Sequence, residues 1–218
     1  MKLSNILLVS MVSAVAAFAQ NPITADSPYQ IRYASNLTIG DSVVNISNTG
    51  ARGGVTLQSG TSAGVGGAIC ANVFVFQPDE EVVSCCSCPV TPNGLVSLSA
   101  QRDLINNPLF AHGAPTSIVI KLVATVPVGG SCTNSAAAVN TETLAPGMVA
   151  WGTTIHANSS AAAGTYAVTE TAFTPASLSA SELARLSNVC GFALAQGSGN
   201  GVCNSCRLTG LGATSAAK

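Results

Sequence analysis

Residues 68–76 read Ala68-Ile69-Cys70-Ala71-Asn72-Val73-Phe74-Val75-Phe76. Successive side chains of a strand point to opposite faces, so Val73 and Val75 share one face and Phe74 and Phe76 the other. A strand apolar on both faces predicts a central, buried position in a sheet. Pro78-Asp79-Glu80 breaks the run.

Toward the N-terminus, Leu37-Thr38-Ile39 and Val44-Asn45-Ile46-Ser47 alternate apolar and polar residues, the period of half-buried strands. Asn48-Thr49-Gly50 and Arg52-Gly53-Gly54 have turn chemistry, and Ser59–Gly67 reads as a Gly/Ser-rich loop. Toward the C-terminus, Ser99–Asn107 fits one or two helical turns stopped before Pro108. Ser117–Val128 is too short to span a membrane and holds Lys121, so it reads as a buried strand. Ser131–Ala145 is expected to be a surface loop around Cys132. Val149–Ala157 and Tyr166–Phe173 complete the strand set through their β-branched and aromatic residues. One helix is predicted near residues 180–190. Ser179-Ala180-Ser181-Glu182 forms a capping box, Leu183, Leu186 and Cys190 make an apolar stripe, and Gly191 offers a stop. Gly197–Gly201 reads as a glycine-rich turn. Short strands between Gly, Pro and Asn turns predict a mainly β protein: an antiparallel β-sandwich or barrel-like domain with one C-terminal helix, stabilised by disulfides.

Only 8% of the 218 residues are charged and the net charge is −1, against about 25% charged residues in an ordinary soluble domain. Nothing in that balance recruits nucleic acid or an anionic membrane. Residues 1–19 read as a secretory signal peptide. Lys2 is its basic end, Ile6–Ala16 its apolar segment, and Ala17-Phe18-Ala19 its cleavage signal before Gln20. The expected organisation is then an arm over 20–29, one β-rich domain over 30–209, and a flexible tail over 210–218. No membrane anchor is expected after cleavage, and the product is expected to be secreted or at the cell surface.

Cys70, Cys85, Cys86, Cys88, Cys132, Cys190, Cys203 and Cys206 all follow the leader. An even count in an exported chain predicts disulfides. The competing readings are a zinc site built from Cys85–Cys88 and Cys203–Cys206, and a redox-active Cys203-Asn204-Ser205-Cys206. The clusters are too far apart in sequence for a zinc ribbon, and no βαβ context surrounds the second. No metal or cofactor is therefore assigned. Cys85 and Cys86 are too close along the chain to bond each other comfortably, so they should reach different partners. If the three clustered cysteines pair outside their cluster, two cysteines remain to pair together. The local candidates for that bond are Cys190 with Cys203 and Cys203 with Cys206.

Catalytic constellations are lacking. His112 and His156 are the two imidazoles, and neither has triad context. Asp79-Glu80-Glu81 is the one acidic run; it lacks the calcium-loop pattern and reads as a solvated corner. Trp151 and Tyr166 read as core or sandwich-edge packing. Asn36, Asn45 and Asn158 begin glycosylation sequons, a weak signal.

The stretches GDSVVNISNTGA (40–51), CCSCPVTPNGL (85–95), PGMVAWGTTIHA (146–157) and LSASELARLSNVCGFALAQGSGNGVCNSC (178–206) resemble those of uncharacterised secreted cysteine-rich proteins of environmental bacteria. The resemblance implies export and a bacterial source, and brings no activity with it.

These readings lead to a secreted structural or binding protein, with no ligand identified. The alternative is an extracellular hydrolase acting on carbohydrate through a carboxylate pair drawn from Asp79, Glu80, Glu81, Asp103, Glu142 and Glu170. Low charge and the sparsely charged stretch Gln30–Ser47 further suggest self-association through the N-terminal strands. The competing expectation is that those strands pair within their own domain.

Overall fold

The computed structural model describes residues 27–54, 66–109, 113–132, 136–157, 165–204 and 206. The leader and the terminal tail lie outside them, as do His112, Asn158 and most of the Ser59–Gly67 segment. Among the described residues nine strands form two antiparallel sheets: β1 (Tyr29–Ala34), β2 (Val43–Asn48), β3 (Ile69–Phe76), β4 (Val82–Val90), β5 (Leu95–Ser99), β6 (Ile118–Thr125), β7 (Met148–Ala157), β8 (Tyr166–Ala172) and β9 (Thr174–Pro175). The larger sheet has the order β4-β3-β6-β1-β9 and the smaller β5-β2-β7-β8. The mainly β, sandwich-like class with one C-terminal α-helix is the class expected from the strand patterns.

All eight residues of β3 are buried, and β3 pairs with β4 on one side and β6 on the other. Its two apolar faces serve two cores. Ile69, Ala71, Val73 and Val75 pack between the sheets with Val44, Ile46, Leu98 and Ile120. Phe74 and Phe76 face the other way, into a cluster with Tyr29, Leu186 and Cys190. The molecule thus has three layers: small sheet, large sheet, helices.

Helix α1 (Ala180–Ala195) begins at the expected cap, where the Ser179 hydroxyl accepts from the Glu182 amide at 3.1 Å. Leu186 and Cys190 are buried on its apolar stripe. Gly191 does not end it. The turn closes later, where Gly197 takes a left-handed φ of 63° and its amide donates to Leu194 O at 3.1 Å.

Two other local expectations change, and a third takes a specific form. Leu37-Thr38-Ile39 is a turn rather than a strand. Asn36 sits at φ 62° and its carbonyl accepts from the Ile39 amide, which reverses the chain. Within 131–145, a 3₁₀ helix spans Ala136–Thr141 with Ala136 and Val139 buried against α1. Its small side chains allow this close packing, and the Ser187 hydroxyl fastens it through Ala137 O and Asn140 Oδ1. The segment after β5 is a short π-helical turn, Ala100–Leu104, capped by the Ser99 hydroxyl accepting from the Arg102 amide at 3.0 Å. No described helix is long and apolar enough to cross a membrane.

Candidate functional site

The cysteines define the end of the molecule that is closed. All eight are paired: Cys70–Cys132, Cys85–Cys190, Cys86–Cys203 and Cys88–Cys206. Strand alternation explains how neighbours reach different partners. Cys85 points from β4 to the helix layer and bonds Cys190 of α1, while Cys86 and Cys88 point to the inter-sheet side. There they meet the segment after α1, which runs along the outer edge of β4. The Cys85 amide donates to Gly201 O at 2.9 Å, and Cys85 forms a parallel bridge with Val202. The pair left over is Cys70–Cys132, not a bond among Cys190, Cys203 and Cys206, because α1 and the Gly197–Gly201 turn carry those three past three different points of β4. The sulfurs of Cys86, Cys88 and Cys206 lie within 4.8 Å of one another. Each is consumed in a disulfide, so none is a thiolate ligand as the chain stands.

The carboxylates suggested by the sequence are dispersed among different tasks. Asp103 is buried, and its Oδ2 accepts from the Ser99 amide at 2.8 Å. Glu142 accepts from the Thr125 hydroxyl at 2.6 Å. Glu170 is exposed on β8. Asp79, Glu80 and Glu81 are exposed on the β3–β4 turn, with Glu80 at φ 73°. His156 lies near the end of β7, its Nε2 2.9 Å from the Thr169 hydroxyl of β8.

Glu80 also lines a cleft of about 370 Å³ between that turn and α1. Here four residues matter that sequence motifs do not single out as a group. Lys121 Nζ is 2.6 Å from Glu182 Oε1, and Arg185 lies 3.8 Å from Glu182 and 4.0 Å from Glu80. Both cations sit over the Phe76 ring, at 5.2 and 5.1 Å from its centroid. Burial, and next the Glu182 charge, push the neighbouring Tyr29 phenol up to about 12, with Arg185 acting in the opposite direction. The sequence does carry one signal of this group: Lys121 interrupts an otherwise apolar strand, and Glu182 and Arg185 are three apart on one helix.

The opposite end of the molecule is open. β8 is an outermost strand with β7 as its sole neighbour among the described residues, and all seven of its residues are exposed. Tyr166 and Val168 are 46% and 60% exposed. They share a face with Trp151 and Ile155 through the pairs Trp151–Ala172, Ile155–Val168 and Ala157–Tyr166. Trp151 and Tyr166 therefore belong to an uncovered sandwich edge. The N-terminal strands expected to associate lie inside their sheets: β2 pairs with β5 and β7, and β1 with β6 and, over Gln30 and Ile31, with β9.

No family model matches the chain, and no curated protein matches it. Among solved structures, the chain is similar to the crystal structure of Thermotoga maritima 1070. Identity is 10%, covering 67% of this chain and 88% of that one, at a TM-score of 0.34, a likeness too slight to carry an argument about fold or function.

Proposed function

We propose that this chain is an exported structural or binding protein of the cell surface or extracellular space, and that it associates with itself through β8. The observation that carries this reading is the bare edge. An outermost strand offers a row of unpaired amides and carbonyls, and natural sheets usually cover or charge such a row. β8 has one charge, Glu170, beside Tyr166 and Val168. Its sequence suits a second copy. Antiparallel pairing about Thr169 sets Val168 against Glu170, Ala167 against Thr171 and Tyr166 against Ala172, so the glutamates do not meet head-on. The N-terminal strands, engaged in their own sheets, have less backbone to offer a partner. Export is supported by the leader-like residues 1–19 and by four disulfides, which persist in oxidising compartments.

The hydrolase alternative has weaker support. Glu80 and Glu182 are the carboxylates brought to one cleft, and both are drawn to Arg185, with Lys121 also on Glu182. Of the six carboxylates that the sequence offers for this reaction, Glu80 is the one that lines the cleft, whereas glycoside cleavage works through a pair.

Light scattering on the chain from Gln20, across a concentration series, tests assembly. The expected result is mass rising with concentration, together with new hydrogen-exchange protection confined to the β8 amides. A monomer at every concentration, or protection arising in β1 and β2 instead, would overturn the β8 reading.

A further inference from the structure

Arg32 is placed where a cation should be costly. It projects from β1 between the sheets and is 7% exposed. Its Nη1 donates to Thr171 O at 2.9 Å and to the Thr171 hydroxyl, and its Nη2 donates to the Thr154 hydroxyl at 2.8 Å. Its Nε is buried without a partner. Every acceptor is neutral, and among the described residues no carboxylate lies within ion-pair distance of it; Glu170, whose charge acts on it, belongs to the exposed edge strand. Burial of an arginine is ordinarily matched by an anion, because guanidinium does not give up its proton near neutral pH.

The small sheet is shaped to admit this group. A Cβ on Gly152 would lie 2.8 Å from Arg32 Cζ and closer still to Nε, so any residue but glycine there displaces the guanidinium. Beside it is a cleft of about 470 Å³ lined by Arg32, Tyr33, Thr154, Thr171 and Thr174. It opens where β9 stops pairing with β1 after Ile31 and the chain crosses from one sheet to the other at Phe173. The volume is in the range of sites for small ligands.

We infer that this cleft binds a small hydroxylated carboxylate, of the size of a sugar acid, whose anionic group is the charge complement that Arg32 lacks, with the threonine hydroxyls contacting the ligand's own hydroxyls. A carboxylate suits guanidinium better than a neutral sugar does, since the charge-assisted hydrogen bond is the stronger one. The inference stands apart from the assembly reading: it concerns the gap between the sheets and requires no second copy.

The test is titration of the intact mature chain with galacturonate, galactose, acetate and sulfate, followed by calorimetry and by amide chemical shifts. A polygalacturonate arm separates free acids from acidic residues of a polymer as the source. Saturable galacturonate binding is expected, with shifts centred on Gly152, Thr154 and Thr171 and galactose about 10- to 100-fold weaker. Thr174→Val, on the exposed rim, should weaken galacturonate while leaving the fold intact, and Arg32→Met should abolish binding if it folds. Equal affinity for galactose, shifts elsewhere, or no response of the wild-type protein to any carboxylate would overturn the inference and leave Arg32 as a clamp between sheets. Those wild-type measurements decide the matter without an Arg32 variant, and they do so whether or not the protein is monomeric.

Discussion

β4 and β8 are both outermost strands, and the chain finishes them in opposite ways. β4 is covered by the segment after α1 and held to it and to the helix by three disulfides. Among the described residues β8 has neither cover nor covalent tie, and every residue of it is exposed. A low-charge protein cannot protect an edge with lysines it does not have, so it covers one edge with its own backbone. An edge left bare in the same chain is then a candidate for use rather than an oversight.

The largest expected effects lie at the sealed edge and test whether its bonds act as one unit. Cys86–Cys203 spans 117 residues and Cys70–Cys132 only 62, so loop length alone ranks the first bond higher. Once Cys85–Cys190 and Cys88–Cys206 are closed, however, Cys86–Cys203 adds a ring of only about seven residues, worth roughly 2 kcal/mol, whereas a 62-residue loop is worth about 4 kcal/mol. Replacing both members of Cys70–Cys132 with alanine should therefore cost more than replacing both members of Cys86–Cys203. Guanidinium unfolding of the two variants measures it, and the opposite order would mean the staple is not nested.

Leu186 anchors the helix under that staple and is fully buried. Leu186→Ala should cost about 3 kcal/mol by transfer and cavity terms. An effect under about 1 kcal/mol, read from the thermal midpoint, would show the disulfides holding α1 without help from packing.

Alkaline pH probes the same layer. Tyr29 is buried, and its phenol is raised from 10.0 to about 12. The folded state thus holds the proton more tightly than the unfolded chain. The stabilisation is complete below pH 10 and is lost as pH rises toward 12, on the order of 2 kcal/mol. Tyr29→Phe should remove that part of the pH dependence; an unchanged slope over this window would reject Tyr29 as its source.

What can be read from the sequence follows the same division. β3 is legible because two apolar faces in nine residues leave few alternatives, and α1 because its cap and stripe are local. β4 and β5 are not legible in this way. In β4, Cys85, Cys86, Cys88 and Pro89 mask the alternation, and Leu95–Ser99 is five residues of ordinary pattern. The sulfur pairing can be reduced by elimination but not solved, since it depends on α1 and its trailing turn lying along the β4 edge. Arg32 is the one basic residue from Gln20 to Ala51; that it turns inward depends on Gly152, 120 residues away, which pattern alone cannot connect. The expectation of association through the N-terminal strands rests on sparse charge, beside the competing expectation that they pair within their own domain. Sparse charge marks a strand fit for pairing, but only the sheet order tells which strand lacks a partner.

The smallest effect on stability should accompany the largest effect on assembly, and it comes from β8. Val168 is 60% exposed, so Val168→Lys removes little buried area and should change unfolding stability by less than about 0.5 kcal/mol. Its consequence for pairing is different in kind. A lysine on an outermost strand keeps its charge solvated only if no second strand covers it, which is how natural edges refuse partners. In the antiparallel arrangement about Thr169, residue 168 faces Glu170 of the second copy. A lysine there has a carboxylate to meet, so Val168→Lys alone leaves two outcomes open, and pairing it with Glu170→Lys resolves them. The double variant places lysines opposite one another at both cross-strand positions and should stay monomeric at concentrations where the wild-type chain associates. If Val168→Lys alone still assembles, the antiparallel register about Thr169 is supported. If the double variant assembles as well as wild type, the bare edge of β8 is not the contact, and the exposed face around Trp151 becomes the surface to test.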